Sequence, residues 1–313
     1  MESLTKKIVI GVDGSKNALK SFDFLKNIYG TKHELDMSLL YISPSSFKKF
    51  TKEEKIDMEI WAQVANEEKK DLDKGGSILA DAKGALISRG FEESRINVLA
   101  QRKEASIAQD ICTWANKTMV DAVLINKRSR TDLETFFQGE ISRKLLDYCG
   151  ESPVWVTGGN IDSKKILISV DSSENSMRAV DHAGFMVAGT DCTVTLFHTM
   201  RHLKEHVNQG VMEKTADLEK LWEMKKGEKI APYMRKARDI LLEAGVPEQR
   251  VTMKVIDGTK NAADDIVNEA RNNDYGTIVL GRRGLSPLKE FVFGSVTSKV
   301  LYHSAGLALW IVQ

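Results

Sequence analysis

Cysteine is scarce: the chain has three in 313 residues, Cys112, Cys149 and Cys192, and none forms a CxxC pair. That spacing speaks against a zinc ribbon or a disulfide framework. The expectation is small buried thiols in a reducing cytoplasm, with a redox role for Cys149 as the sharper alternative. Net charge is nearly absent as well, with 45 basic against 44 acidic side chains. Bulk electrostatics therefore do not draw the chain to nucleic acid. No apolar run approaches membrane-spanning length, and the opening "MESLTKKIVIGVDGS" has no signal-peptide apolar core. The expected location is cytoplasmic, with no membrane partner. Catalytic signatures are missing too: there is no Walker lysine, no HExxH, no HIGH-type or SGGxDS-type motif, and no evident Mg2+-binding carboxylate pair. His198, His202 and His206 have i, i+4 spacing, but His198 closes a strand and no acidic partner accompanies them, so no metal site is expected.

What the chain does have is one unit written twice. The first copy predicts strands at 7–12, 36–42, 96–100, 121–125 and 154–156. Between them lie helices from Asn17 onward, a helix of uncertain start inside the polar stretch 43–76, then helices at 77–88, 107–116 and 141–148. The second copy predicts strands at 165–170, 193–198, 251–256, 277–280 and 309–312, with a helix ending at Gly245. The copies overlay without a gap from Gly90 on Gly245 to Val156 on Ile311. Arg95 then meets Arg250, Asp110 meets Asp265, Ile111 meets Ile266, Gly139 meets Gly294 and Trp155 meets Trp310. Strands alternating with helices imply parallel pairing, hence two tandem doubly wound α/β domains with five-stranded parallel sheets, at 1–157 and 164–313. The linker 157–163, "TGGNIDS", is short and polar. Ligands in this architecture sit at the carboxyl ends of the strands, where strand order switches.

The stretch "VLGRRGLSPLKEFVFGSVT" at 279–297 lies at such an end. A strand breaks on Gly281, two arginines and Gly284, and Gly294-Ser295 then opens a helix. Glycine has no Cβ to hold an anion away, and the free N–H groups of a first helical turn carry partial positive charge. Ser295 and Thr297 add hydroxyls at the same mouth. Asp13 and Asp171 close the first strand of each copy; Asp-x-Ser before a helix reads as a capping or ligand-orienting group ahead of a catalytic acid. Trp155 and Trp310 read as core anchors, and the charged run 52–74 reads as a solvated helix face.

Taken together, "ILISVDSSENS" at 166–176, "VTLFH" at 194–198, "IDG" at 256–258 and the glycine loop resemble the universal stress protein family in its tandem two-domain form. The family's loop is Gly, two residues, Gly, nine residues, Gly-Ser/Thr, and Gly281, Gly284, Gly294 and Ser295 match it in full. The resemblance implies five parallel strands per domain, in the adenine-nucleotide α-hydrolase-like fold, and ATP, with or without Mg2+, or another adenine nucleotide in the copy that keeps the loop. Asp171 would face the adenosine with Ser172 beside it, and Thr199 and Leu280 would border the base. Gly281 and Arg283 would line the ribose and phosphates. Gly284, Gly294 and the N–H groups of Ser295, Val296 and Thr297 would hold the phosphates. The family also dimerises through its fifth strand. The two fifth strands here are therefore expected to pair as an intrachain pseudo-dimer, with a further homodimer as an extension.

The first copy departs from the pattern, with Asn126 and Ser129 in place of the first two glycines and Glu140 in place of Ser295. A phosphate at about 4 Å from the Glu140 carboxylate would meet a repulsion of roughly 1 to 4 kcal/mol. The expectation is a nucleotide-dependent stress-response or regulatory protein that works with an unknown protein partner. Its second domain holds ATP and its first is a degenerate site. It is not expected to be a dedicated enzyme, ATP hydrolysis being slow at most. A nucleotide-free scaffold of the same fold is the alternative, and nucleotidyl transfer is disfavoured.

Overall fold

The computed structural model describes residues 5–15, 18–30, 34–43, 58–126, 148–150, 152–201, 216–259, 261–284 and 294–313. The chain divides into two compact units, Met1–Gly158 and Gly159–Gln313.

Unit 1 runs β1 (Lys6–Gly11), α1 (Ala18–Tyr29), β2 (Leu35–Ser43), α2 (Met58–Ser88), β3 (Ile96–Arg102), α3 (Ile107–Thr118), β4 (Ala122–Asn126) and β5 (Val154–Thr157). Its strands order as β3-β2-β1-β4-β5, all parallel. Ile8, Val9 and Ile10 are wholly buried, as a central strand covered on both faces requires. Burying each such side chain stabilises by about 1.5–3 kcal/mol.

Unit 2 repeats the plan with β6 (Lys165–Ser169), α4 (Glu174–Val187), β7 (Thr193–Met200), α5 (Ala216–Glu243), β8 (Val251–Asp257), α6 (Ala262–Asn272), β9 (Thr277–Gly281), α7 (Ser295–His303) and β10 (Ala308–Val312). The order β8-β7-β6-β9-β10 is again parallel throughout. Sequence order reverses between β1 and β4 in one unit and between β6 and β9 in the other. Asp171 follows β6 and Gly281 ends β9, so both emerge at that switch. Trp155 and Trp310 are fully buried in β5 and β10.

Two sequence expectations need correction. The helix anticipated at 77–88 and the uncertain one before it are a single helix, α2, which runs straight through Gly75-Gly76. Gly75 tolerates its helical position because the Tyr41 ring lies against it; a Cβ there would stand 2.4 Å from that ring. Packing has overridden the low helix propensity of glycine. The second correction concerns the thiols. Cys112 and Cys149 form a disulfide, with an S–S distance of 2.01 Å and Cα atoms 4.9 Å apart across 37 residues of sequence. Cys112 sits on α3 and Cys149 on the approach to β5, and the fold brings the two together. Cys192 alone is a free, buried thiol, and burial raises its pKa. The helix expected at 141–148, together with Ser129, Gly139 and Glu140, falls outside the described residues, apart from Tyr148.

Candidate functional site

At the carboxyl end of β6 the chain turns through Asp171, Ser172 and Ser173. Asp171 Oδ1 accepts from the Ser173 N–H at 3.1 Å and the Ser173 hydroxyl at 2.5 Å. Ser173 in turn caps α4 by accepting from the Ser176 N–H at 3.1 Å. Ser172, between them, has φ +63°. One oxygen of Asp171 thus builds the turn, and the other faces Gly284: a Cβ on that glycine would stand 2.3 Å from Oδ2.

The glycine loop closes on this turn. A Cβ on Gly281 would lie 2.8–2.9 Å from the main chain of Asn175 and Ser176, in the first turn of α4. Only glycine lets β9 and α4 approach so closely. Asn175 Nδ2 donates to the Arg283 carbonyl at 3.1 Å. The Gly294 N–H donates to the Arg282 carbonyl at 3.0 Å, so the two ends of the loop meet. A Cβ on Gly294 would be 3.4 Å from the Gly284 nitrogen. The Thr297 hydroxyl donates to the Gly281 carbonyl at 2.9 Å and is spent on that tie. Among α3, α4, α6 and α7, the first three begin with a side-chain cap from Ser106, Ser173 or Asn261. α7 begins at Gly294 with none. Among the described residues no side chain caps its first-turn N–H groups, those of Ser295, Val296 and Thr297, at the positive end of the helix dipole.

The arginines divide their work. Arg282 is buried, whereas Arg283 is exposed at the mouth beside Gly284. Leu280 is buried within β9. On β7, the Thr199 hydroxyl donates to Asp265 Oδ2 at 2.7 Å. Asp265 also accepts from the Thr259 N–H and hydroxyl, which fixes the β8–α6 loop. Gly258 packs under this cluster, where a Cβ would stand 2.0 Å from Thr199 Oγ1. His198 Nδ1 lies 2.6 Å from the Val170 carbonyl. Burial holds its imidazole below the ordinary value, outweighing that hydrogen bond and the Asp171 charge, which pull the other way. His198 thus braces the end of β6, and His202 and His206 fall outside the described residues. Among the described residues no cluster of metal-binding side chains forms, and no helix is long and apolar enough to cross a membrane.

The structure therefore brings Asp171, Ser172, Gly281, Arg283, Gly284, Gly294 and the start of α7 together at one strand-order switch, with Thr199 on the neighbouring strand. Asn175, Gly258 and Asp265 complete the frame, and the sequence reading gave none of them a role there. Their signal was weak: Asn175 is one polar residue in a helix start, and Asp265 stood out only as a repeat match to Asp110.

The family model described as "Universal stress protein family" matches residues 5–157 and again 163–306. This chain belongs to the universal stress protein family. The universal stress protein YxiE of Bacillus subtilis is 28% identical over 149 residues, 44% of this chain and 90% of that protein. A universal stress protein from Archaeoglobus fulgidus shares the fold across both units, covering 97% of this chain and 95% of its own at 15% identity and a TM-score of 0.61. A structure of the A. fulgidus universal stress protein in complex with dAMP covers 50% of this chain and 98% of its own, at 15% identity and a TM-score of 0.34.

Within this universal stress protein, unit 1 fills the matching places with side chains. Asn126 stands where unit 2 has Gly281, and its Oδ1 accepts from the hydroxyls of Ser21 and, at 3.2 Å, Thr157. Ser21 and Thr157 are themselves 2.6 Å apart. Tyr41, the counterpart of His198 in the strand register, lays its ring against Gly75, and Ile78 packs against Gly14. Burial and then the charges of Asp71 and Asp13 hold the Tyr41 hydroxyl above its ordinary pKa. The mouth of unit 1 is thus aromatic and acidic.

Proposed function

We propose that unit 2 binds ATP or another adenine nucleotide and that unit 1 does not, so that one chain carries a working site and a degenerate one. The observation that carries this reading is the start of α7. Its N–H groups, uncapped among the described residues, follow Gly294, and Gly281 and Gly284 are pressed against Asn175 and Asp171 around them. In this reading Asp171 Oδ2 meets the ribose, Arg283 meets the phosphates, and Thr199 and Leu280 border the base. Thr297 contributes its N–H, its hydroxyl being committed to Gly281.

Among the described residues no group of three or more His, Cys, Asp or Glu side chains is placed to hold a metal ion. The proposed role is nucleotide-dependent regulation of an unidentified protein partner, with hydrolysis slow at most. A cytoplasmic location and pairing of the two fifth strands belong to the same reading. With Cys112 and Cys149 joined, the location rests on the family and not on free thiols.

Isothermal titration of ATP into the full chain tests the proposal, with Gly294→Glu as the control. The expected result is one site per chain. Gly294→Glu should weaken it roughly ten- to a thousandfold, from a repulsion of about 1–4 kcal/mol, while the far-UV spectrum stays that of the parent. Retained affinity in that variant, or a second equivalent site, overturns the assignment.

A further inference from the structure

α5 is too long for the sheet it covers. Its 28 residues span about 42 Å at 1.5 Å each, whereas the 8 residues of β7 span about 27 Å. The lower part packs on unit 2 through a buried stripe, Ile230, Met234, Ala237 and Leu241. Carried upward at the same helical spacing, the stripe reaches Lys226 and Trp222, both half-buried. Pro232 lies just above Met234 and leaves the Glu228 carbonyl without its helical donor, marking off the overhang. The overhang stands above the carboxyl end of β7: the Trp222 indole N–H donates to the Arg201 carbonyl at 2.8 Å. Arg201 directly follows Met200, the last residue of β7, and Thr199 is the residue before that. Lys226 Nζ stands 4.6 Å from the centre of the Trp222 ring, an attractive cation–π distance. The Lys226 charge also reaches His198, one residue before Thr199.

Unit 1 carries the same stripe as Gly75, Leu79, Ala82 and Leu86 on α2. Lys83 pairs with Glu93 there as Arg238 pairs with Glu248 in unit 2, which fixes the register. In that register Glu67 stands for Trp222 and Asp71 for Lys226. The working and degenerate mouths therefore differ by an aromatic ring and a cation against two carboxylates.

We propose that the Trp222–Lys226 overhang is the outer wall of the unit 2 niche, with the indole stacking on the purine base and the ammonium favouring the polyphosphate. The inference rests on the nucleotide reading above and extends it to selection: a larger planar base gains more from the indole than a pyrimidine does. Stacking of this kind is worth roughly a factor of ten in affinity.

The test compares ATP and UTP binding by titration calorimetry in the parent, Trp222→Ala, Trp222→Phe and Lys226→Asp. Trp222→Ala should lose about tenfold for ATP and less for UTP. Trp222→Phe should hold ATP within a few-fold but lose the change in tryptophan emission that ATP causes in the parent. That readout keeps the test open if Trp222→Ala fails to fold. Lys226→Asp should weaken both nucleotides, most at low salt. If the parent binds ATP and Gly294→Glu weakens it, yet Trp222→Ala binds as the parent does or emission still changes in Trp222→Phe, the wall is overturned and the site stands. A parent that binds neither nucleotide overturns the site reading and the wall with it.

Discussion

Where unit 2 has Gly281, Ala179 and Val312, unit 1 has Asn126, Ser21 and Thr157, and the three polar side chains of unit 1 bond to one another. Where unit 2 has His198 and Lys226, unit 1 has Tyr41 and Asp71. None of these exchanges disturbs the sheet, because each falls at or beyond a strand end or on a helix face turned to the mouth. The lesson is that a duplicated α/β unit keeps its fold through its strands and changes its chemistry at their carboxyl ends. The backbone plan tolerates either a bare glycine or a satisfied polar cluster at the same place. It does not tolerate a side chain at Gly281 without moving α4.

The comparison breaks most sharply at the disulfide. Cys112 and Cys149 have Val267 and Ser304 as counterparts in unit 2, so covalent closure belongs to unit 1 alone. Closing a loop across 37 residues is worth about 4 kcal/mol by chain entropy. Reduction, or Cys112→Ser with Cys149→Ser, should therefore lower the melting temperature of unit 1 and leave unit 2 unmoved. Hydrogen exchange resolved by unit measures this; equal loss of protection in both units would contradict it.

Acid should pick out the other unit. His182 on α4 is half-buried with its ring against Trp310, their ring centres 6.0 Å apart, and desolvation of the imidazole pushes its pKa down to about 3. Its counterpart in unit 1 is Phe24, which is fully buried. A folded-state pKa below the unfolded 6.5 means that the unfolded chain takes up the proton first. The contribution of His182 is therefore complete above pH 6.5 and is lost progressively as pH falls from there toward 3. At pH 5 the loss is on the order of 2 kcal/mol. Urea unfolding at pH 7 and pH 5 should show that loss in the parent and not in His182→Phe.

A smaller effect is expected from Asn126→Gly, which copies unit 2. Ser21 and Thr157 keep each other but lose their shared acceptor, a cost of about 1 kcal/mol. Denaturant midpoints check this, and calorimetry of the same variant shows whether opening the cluster alone creates a second nucleotide site. None is expected while Tyr41 and Asp71 remain. The smallest effect concerns the turn after the first strand. Gly14 and Ser172 both have positive φ, +77° and +63°. Serine is strained there and glycine is not. Ser172→Gly should raise the stability of unit 2 by about 0.5–1 kcal/mol or leave it level, and a clear loss would show that the serine side chain holds something.

Much of this was legible in the chain itself. Parallel strands announce themselves as short apolar runs, and every anticipated strand formed within about two residues of its expected bounds. The repeat register, anchored by Gly90 on Gly245, carried through to Trp155 and Trp310 in the two fifth strands. The loop glycines stood out because glycine at a strand end and at a helix start has a local meaning. Less visible was α2, since Gly75-Gly76 reads as a break until the Tyr41 ring is seen lying across it. Asn126 was legible as a missing glycine but not as the centre of a hydrogen-bonded cluster. Its partners, Ser21 and Thr157, come from opposite ends of the unit.

The sequence by itself determined two parallel-sheet units, their repeat, and which of them keeps bare glycines at the strand-order switch. These are properties of neighbouring residues and of periodicity, and neighbours along the chain report them. Only the tertiary structure decided that Cys112 reaches Cys149, that the second oxygen of Asp171 faces Gly284, and that the top of α5 brings Trp222 over the end of β7. Each of those depends on how far a helix or loop extends across a sheet. Residues tens of positions apart meet there because packing, and not spacing in the chain, sets the distance between them.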